Sequence, residues 1–216
     1  MSGQLSVSAV KAAQAVNFFL QQSASDPFSV EGDNYLKLTK LLWAADRLSL
    51  RNFGNSVTQN RYVALPYGPV ASQTFKLMEA CQPNASVNLQ GIAEADVLWW
   101  QARFEFQGHS LRDIADPGSD YLSQPDLHML EAAYKRFRTS SPFGATDDVS
   151  HRYPEWTRAF DPVQAKKSFD IDLADFFDDP EQHVDPYFQV APETLEAAWY
   201  FFEERKELSA SIGIAL

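Results

Sequence analysis

The chain has 216 residues, 45% hydrophobic and 13% aromatic, which excludes a disordered chain and suits one domain with an extension or two small ones. Its single cysteine, Cys81, excludes an internal disulfide framework and a cysteine-based zinc cluster and points to a reducing, cytoplasmic setting. A net charge of −11 argues against general nucleic-acid binding, because phosphate repels it; no apolar run approaches the roughly 20 residues of a membrane span, and no signal-peptide pattern opens the chain.

Taken in order, Ser6 to Gln22 reads as a first helix, with Val10, Ala13, Val16 and Leu20 in one stripe beside Phe19. Ser23 to Gly32 is a connector. The second helix begins at Tyr35, with Leu38, Leu41, Leu42, Ala45 and Leu48 following at steps of three and four. Asp33 is the expected N-cap and Gly54 the expected stop. This is the element around which the rest is organised. Arg61 to Leu65 reads as a short strand. Pro66-Tyr67-Gly68-Pro69 breaks it, and Pro69 suits the first turn of a third helix over Val70 to Ala80, ended by Pro83.

Pro83 to Gly91 is a loop. Val97 to Ile114 reads as a hairpin: Phe104 and Phe106 alternate with polar residues, Gly108-His109 form the turn, and Leu111 returns on the partner strand. Trp99-Trp100 fit either that hairpin or a helix end. Ser123 caps a long helix carrying Leu127, Leu130, Tyr134 and Phe137, with Lys135, Arg136 and Arg138 in its last turn. Pro154 opens a short helix with Trp156 and Phe160. Pro162 to Pro186 reads equally as a short helix or a strand. Pro192 opens the last helix, with Leu195, Ala198, Trp199 and Phe202 on one face. The tail from Ser211 to Leu216 is apolar and reads as a degradation signal or as a strand that docks on the core.

Few residues invite chemistry. His109, His128, His151 and His183 show no metal-ligand spacing, so no metal is expected. Ser150-His151 with Asp147 or Asp148 lacks the glycine-flanked elbow of a nucleophile. Asp170-Ile171-Asp172 lies in a tract acidic enough to produce that spacing by chance. No glycine-rich phosphate loop is present, and no cofactor is expected. Lys135, Arg136, Arg138, Arg152 and Arg158 either converge into a basic patch or serve as helix-dipole partners and solvated side chains. Asp46 and Arg47 are either an exposed pair or an anchor for a turn, whereas Trp43 is core by composition.

Three blocks carry a resemblance. They are Leu38-Thr39-Lys40-Leu41-Leu42-Trp43-Ala44-Ala45-Asp46 followed by Gly54, then Arg61-Tyr62-Val63-Ala64-Leu65-Pro66-Tyr67-Gly68-Pro69-Val70, and downstream Val149-Ser150-His151 before Pro154 and Trp156. Together they resemble the Panacea, or SocA-like, domain family, known also from phage-associated proteins. The resemblance covers roughly residues 8 to 160. Val149 departs from the family's leucine, and residues 162 to 216 resemble nothing recognisable.

The resemblance implies an antitoxin that binds a cognate protein toxin or, as a protease adaptor, presents it to a protease or unfoldase. It implies no enzyme; a small enzyme with a pocket around His151 is the remaining alternative. The residues it marks for partner contact are Trp43, Asp46, Arg47, Tyr62, Tyr67, Gly68, His151 and Trp156. The expected fold is mainly α within the α+β class, a helical bundle around a central helix with a small antiparallel sheet or hairpin. The expected division is a domain over 1–160 and an acidic extension over 161–216, packed on the core. That extension holds 13 Asp and Glu against 4 Lys and Arg, which suggests a basic toxin.

Overall fold

A computed structural model describes residues 4–142, 144, 149–164, 168–182 and 184–211. Helix α2 (Tyr35–Phe53) runs through its centre, and every residue from Lys37 to Arg51 is buried. Around it lie α1 (Val7–Ser25), α5 (Gln124–Phe137) and α7 (Pro192–Ser211). The mainly helical α+β architecture expected from the sequence is the one observed.

Local signals place most of these helices. Ser6 caps α1 by accepting from the Ala9 N–H, and its backbone N–H and hydroxyl both donate to Asp96, tying α1 to α4 (Glu94–Gln101). Ser123 and Asp126 form a reciprocal capping box at α5. Asp126 also meets Lys11 of α1 at 2.9 Å. The cap of α2 is Asn34 rather than Asp33: its side chain accepts from Leu36 N–H, while the Asp33 carbonyl accepts from Leu111 N–H. Gly54 ends α2 with φ +67, and a Cβ there would meet the Ala198 carbonyl oxygen at 2.4 Å. The glycine therefore serves both the left-handed cap and the close approach of α7.

Two expectations need correction. Pro69 does not open a helix. Strands β1 (Tyr62–Leu65) and β2 (Gly68–Ala71) form a hairpin in which Leu65 pairs with Gly68, and α3 (Ser72–Ala80) starts only afterwards. Pro66 and Gly68 occupy the second and fourth turn positions, which favours such a reversal, and Gly68 takes φ +103. The proline is tolerated because β2 is an edge strand, the order being β2-β1-β5 with β5 at Phe169–Asp170.

The second correction concerns residues 97–103. These are not hairpin: α4 carries Val97, Trp99 and Trp100, and the hairpin begins with β3 (Phe104–Gln107), which pairs with β4 (Ser110–Asp113). The indole N–H of Trp100 donates to the Ala9 carbonyl at 3.1 Å, which fixes the helix against α1.

The remainder wraps back over α2. A 3-10 turn at Ser150–Arg152 leads into the one-turn helix α6 (Pro154–Thr157). Strand β5 (Phe169–Asp170) then pairs with Val63 and Ala64 of β1, and 3-10 turns follow at Leu173–Phe177 and Pro186–Phe188. Both readings of this stretch thus hold, one after the other. Phe176, Phe188 and Phe202 join the same apolar core as Leu38, Trp43 and Phe137. The tail readings concern Ile212 to Leu216, which lie outside the described residues.

Candidate functional site

The face of α2 defined by Trp43, Arg47 and Arg51, four residues apart, holds the most concentrated polar chemistry. Glu155 of α6 lies against it, with neither its side chain nor that of Arg47 exposed. The Trp43 indole N–H donates to Glu155 Oε1 at 2.8 Å, and Arg47 Nη1 donates to Oε2 at 2.7 Å. Burial raises the Glu155 carboxyl, and Arg47 opposes that rise. The Arg47 guanidinium also lies 4.2 Å from the centre of the Tyr153 ring. One turn on, Arg51 donates to the carbonyls of Phe177 and Phe188 and pairs with Asp179 at 2.9 Å.

Asp46 faces the other way. It accepts from the Thr58 backbone N–H at 2.9 Å, from the Thr58 hydroxyl, and from the Tyr62 hydroxyl at 2.7 Å. Of the two readings of Asp46, the turn anchor is therefore the one observed: it holds the loop between α2 and β1. Burial raises its carboxyl to about 6, while the hydrogen bonds from Thr58 and Tyr62 act in the opposite direction. Burial and the neighbouring carboxylate lift the Tyr62 hydroxyl well above its ordinary value.

A pH dependence follows. Unfolded, the Asp46 carboxyl titrates near its usual value of about 4. Between that pH and about 6 the folded protein keeps a proton that the unfolded chain has released. The contribution of Asp46 to stability is thus fully present below about pH 4 and declines as pH rises through 6, by on the order of 3 kcal/mol. Urea titrations of wild type and Asp46→Asn should diverge progressively across that window. A constant difference between the two proteins from pH 4 to 7 would contradict this assignment.

A second layer lies nearer the surface. The Trp156 indole N–H donates to the Leu65 carbonyl at 2.8 Å, so this ring supports the start of the β1–β2 turn. His151 stacks on Trp156 with ring centres 4.0 Å apart and planes at 16°, and Phe160 stacks on Trp156 at 4.7 Å. A Cβ at Gly68 would come within 2.6 Å of both Lys40 Nζ and Ser150 Oγ. Larger residues at position 68 are therefore blocked by φ and by space together. The buried Lys40 also donates to the Pro69 carbonyl at 3.2 Å. Tyr67 is 58% exposed at the tip; it stands in a hairpin turn rather than beside a helix start.

The eight residues picked out by resemblance thus fall into two groups. Trp43, Asp46, Arg47, Tyr62 and Gly68 are buried, so a partner meets only what they hold in place. The half-buried His151 and Trp156 lie beside the turn that presents Tyr67. Sequence reasoning missed Glu155, Arg51 and Thr58. The i, i+4 spacing of Arg47 and Arg51 was a legible signal, but nothing near Glu155 announces a partner 112 residues away.

The proposed basic patch is instead dispersed into ion pairs: Arg136 with Asp185, Arg138 with Asp26, Lys135 with Glu131, and Arg158 with Asp175 and Asp178. The Ser150-His151 triad reading involves Asp147 and Asp148, and His183 was a fourth histidine of interest; all three lie outside the described residues. Asp172 accepts from Ala174 N–H as the cap of its 3-10 turn. Among the described residues no three His, Cys, Asp or Glu side chains cluster as metal ligands.

A family model described as antitoxin SocA-like, Panacea domain, matches residues 38–157, a span that contains Trp43, Asp46, Arg47, Tyr62, Tyr67, Gly68, His151 and Trp156. Neither a curated protein nor a solved structure matches the chain.

Proposed function

The chain belongs to the antitoxin SocA-like, Panacea domain family, and from that premise we propose that it neutralises a cognate protein toxin in the cytoplasm by binding it directly, without catalysis. The match over residues 38–157 carries this reading, since the family implies a protein toxin as partner. The disposition of polar groups supports binding over chemistry. Glu155 is committed to Trp43 and Arg47, and Asp46 to Thr58 and Tyr62, so the buried carboxylates brace the scaffold.

In this reading Tyr67, His151 and Trp156 form part of the toxin-facing surface, and Trp43, Asp46, Arg47, Tyr62 and Gly68 set its shape from beneath. Among the described residues no helix is long and apolar enough to cross a membrane. The test is co-expression with the product of the adjacent open reading frame. That product alone should arrest growth, this protein should restore it, and the two purified proteins should co-elute. A non-toxic neighbour, or toxicity unchanged by this protein, would sink the proposal.

A further inference from the structure

Helix α7 has two apolar faces. One is consumed by the fold: Ala198 and Phe202 are buried, and the Phe202 and Trp199 rings lie 5.2 and 5.1 Å from Phe177. The other is open. Tyr200, Phe201 and Leu208 are 64%, 53% and 61% exposed, and the Tyr200 and Phe201 rings meet at 6.0 Å. Phe201 and Leu208 are two turns apart and share a side of the helix, with Tyr200 next to Phe201.

The charges in line with Tyr200 have one sign. Glu196 and Glu204 lie one turn either side of it, and Glu207 lies two turns on; all three are exposed. The helix's two cations have partners of their own. Arg205, between Phe201 and Leu208 along the helix, donates to the Gly54 carbonyl at 3.4 Å, and Lys206 pairs with Glu203 at 4.0 Å and lies 5.8 Å from the inward Phe202 ring. The open side therefore carries an apolar row, Phe201 and Leu208, beside an acidic row that includes Tyr200.

We infer that this face of α7 docks a cationic amphipathic helix of the protein toxin, whose apolar side covers Tyr200, Phe201 and Leu208 and whose Lys or Arg residues meet Glu196, Glu204 and Glu207. The inference rests on the antitoxin reading and goes beyond it, since α7 lies outside the family-matched residues 38–157. An exposed apolar row marks an interaction surface, and the acidic row beside it favours a partner whose own apolar and basic rows lie side by side on a helix.

The test measures affinity of the full chain for the purified product of the adjacent open reading frame. Tyr200→Glu/Phe201→Glu should melt as wild type does and bind at least about 30-fold more weakly, as for loss of central contact residues. A charge-reversed variant, Glu196→Lys/Glu204→Lys/Glu207→Lys, should bind more weakly and associate more slowly. If the aromatic variant melts early, the charge-reversed variant decides, because its positions are exposed and unpacked. Wild-type binding with both variants unimpaired overturns the inference and leaves the antitoxin reading standing. A wild type that does not bind overturns both. A wild-type dimer that the aromatic variant dissociates, with toxin binding unchanged, would make the occupant a second copy and overturn the inference.

Discussion

Arg47→Ala is expected to destabilise the protein by about 3–5 kcal/mol, the usual cost of removing one member of a buried ion pair. The loss reaches further than one contact. Glu155 would stay buried without its cationic partner, and the Asp178 carbonyl would lose the closer of its two guanidinium donors, keeping Arg51 at 3.4 Å. Burial already raises the Glu155 carboxyl; without Arg47 it would rise further, so the variant's stability should fall more steeply than that of wild type as pH rises. Urea unfolding at two pH values reads both effects. Arg47→Ala/Glu155→Leu should recover part of the loss, because an apolar replacement of both partners removes the stranded charge. An Arg47→Ala protein within about 1 kcal/mol of wild type would show that the pair contributes only as a surface bridge does.

Removing residues 162–216 is expected to abolish cooperative folding. The sequence suggested an acidic extension packed on the core, and the contacts it makes are ones the core depends on. The deletion takes away β5 and with it one edge of β1, and it strips Phe176, Phe188 and Phe202 from the shared core. It also leaves the Arg51 guanidinium, buried at 1% side-chain exposure, without the Phe177 and Phe188 carbonyls and without Asp179. Truncating one such buried Phe ring alone typically costs about 3–5 kcal/mol, against the roughly 5–15 kcal/mol that holds a domain together. Circular dichroism melting of the truncated chain should show no sharp transition. A two-state melt close to that of the full chain would sink this expectation.

The acidity of the last quarter reads differently after these contacts. Asp175, Asp178, Asp179 and Asp185 meet Arg158, Arg47, Arg51 and Arg136, so part of the negative charge fastens this segment to the body. What remains free for a partner is chiefly the glutamates of α7.

Legibility followed the range of the interaction. Helix α2 could be read from Leu38, Leu41, Leu42 and Ala45 because a 3.6-residue period is a local property, as are the Gly54 stop and the Ser123 cap. The β1–β2 hairpin was misread because Pro69 serves a helix start or an edge strand equally well, and the pairing of Gly68 to Ala71 with Tyr62 to Leu65 decides between them. Residues 94–101 were missed because three buried residues, Asp96 on Ser6, Val97 in the core and Trp100 on Ala9, hold that short helix and make no long periodic stripe. In the site, Trp43, Asp46 and Arg47 could be nominated, yet their partners Glu155 and Thr58 could not. A carboxylate or a hydroxyl in sequence carries no mark of the helix face it will meet.

The span of the Arg51 contacts bears on how the chain is made. Its carbonyl acceptors lie 126 and 137 residues downstream. At about 5–20 residues per second, a ribosome needs roughly 7–27 s to deliver the second of them after Arg51 itself. Throughout that interval the central helix carries a guanidinium with nothing to bind but water, so it cannot be sealed into a finished core. Maturation is therefore gated by completion of the final quarter, and nascent chains pass through a long window in which chaperones and proteases have access to α2. The supply of mature protein is then set by how quickly the last quarter is translated as well as by how often translation starts.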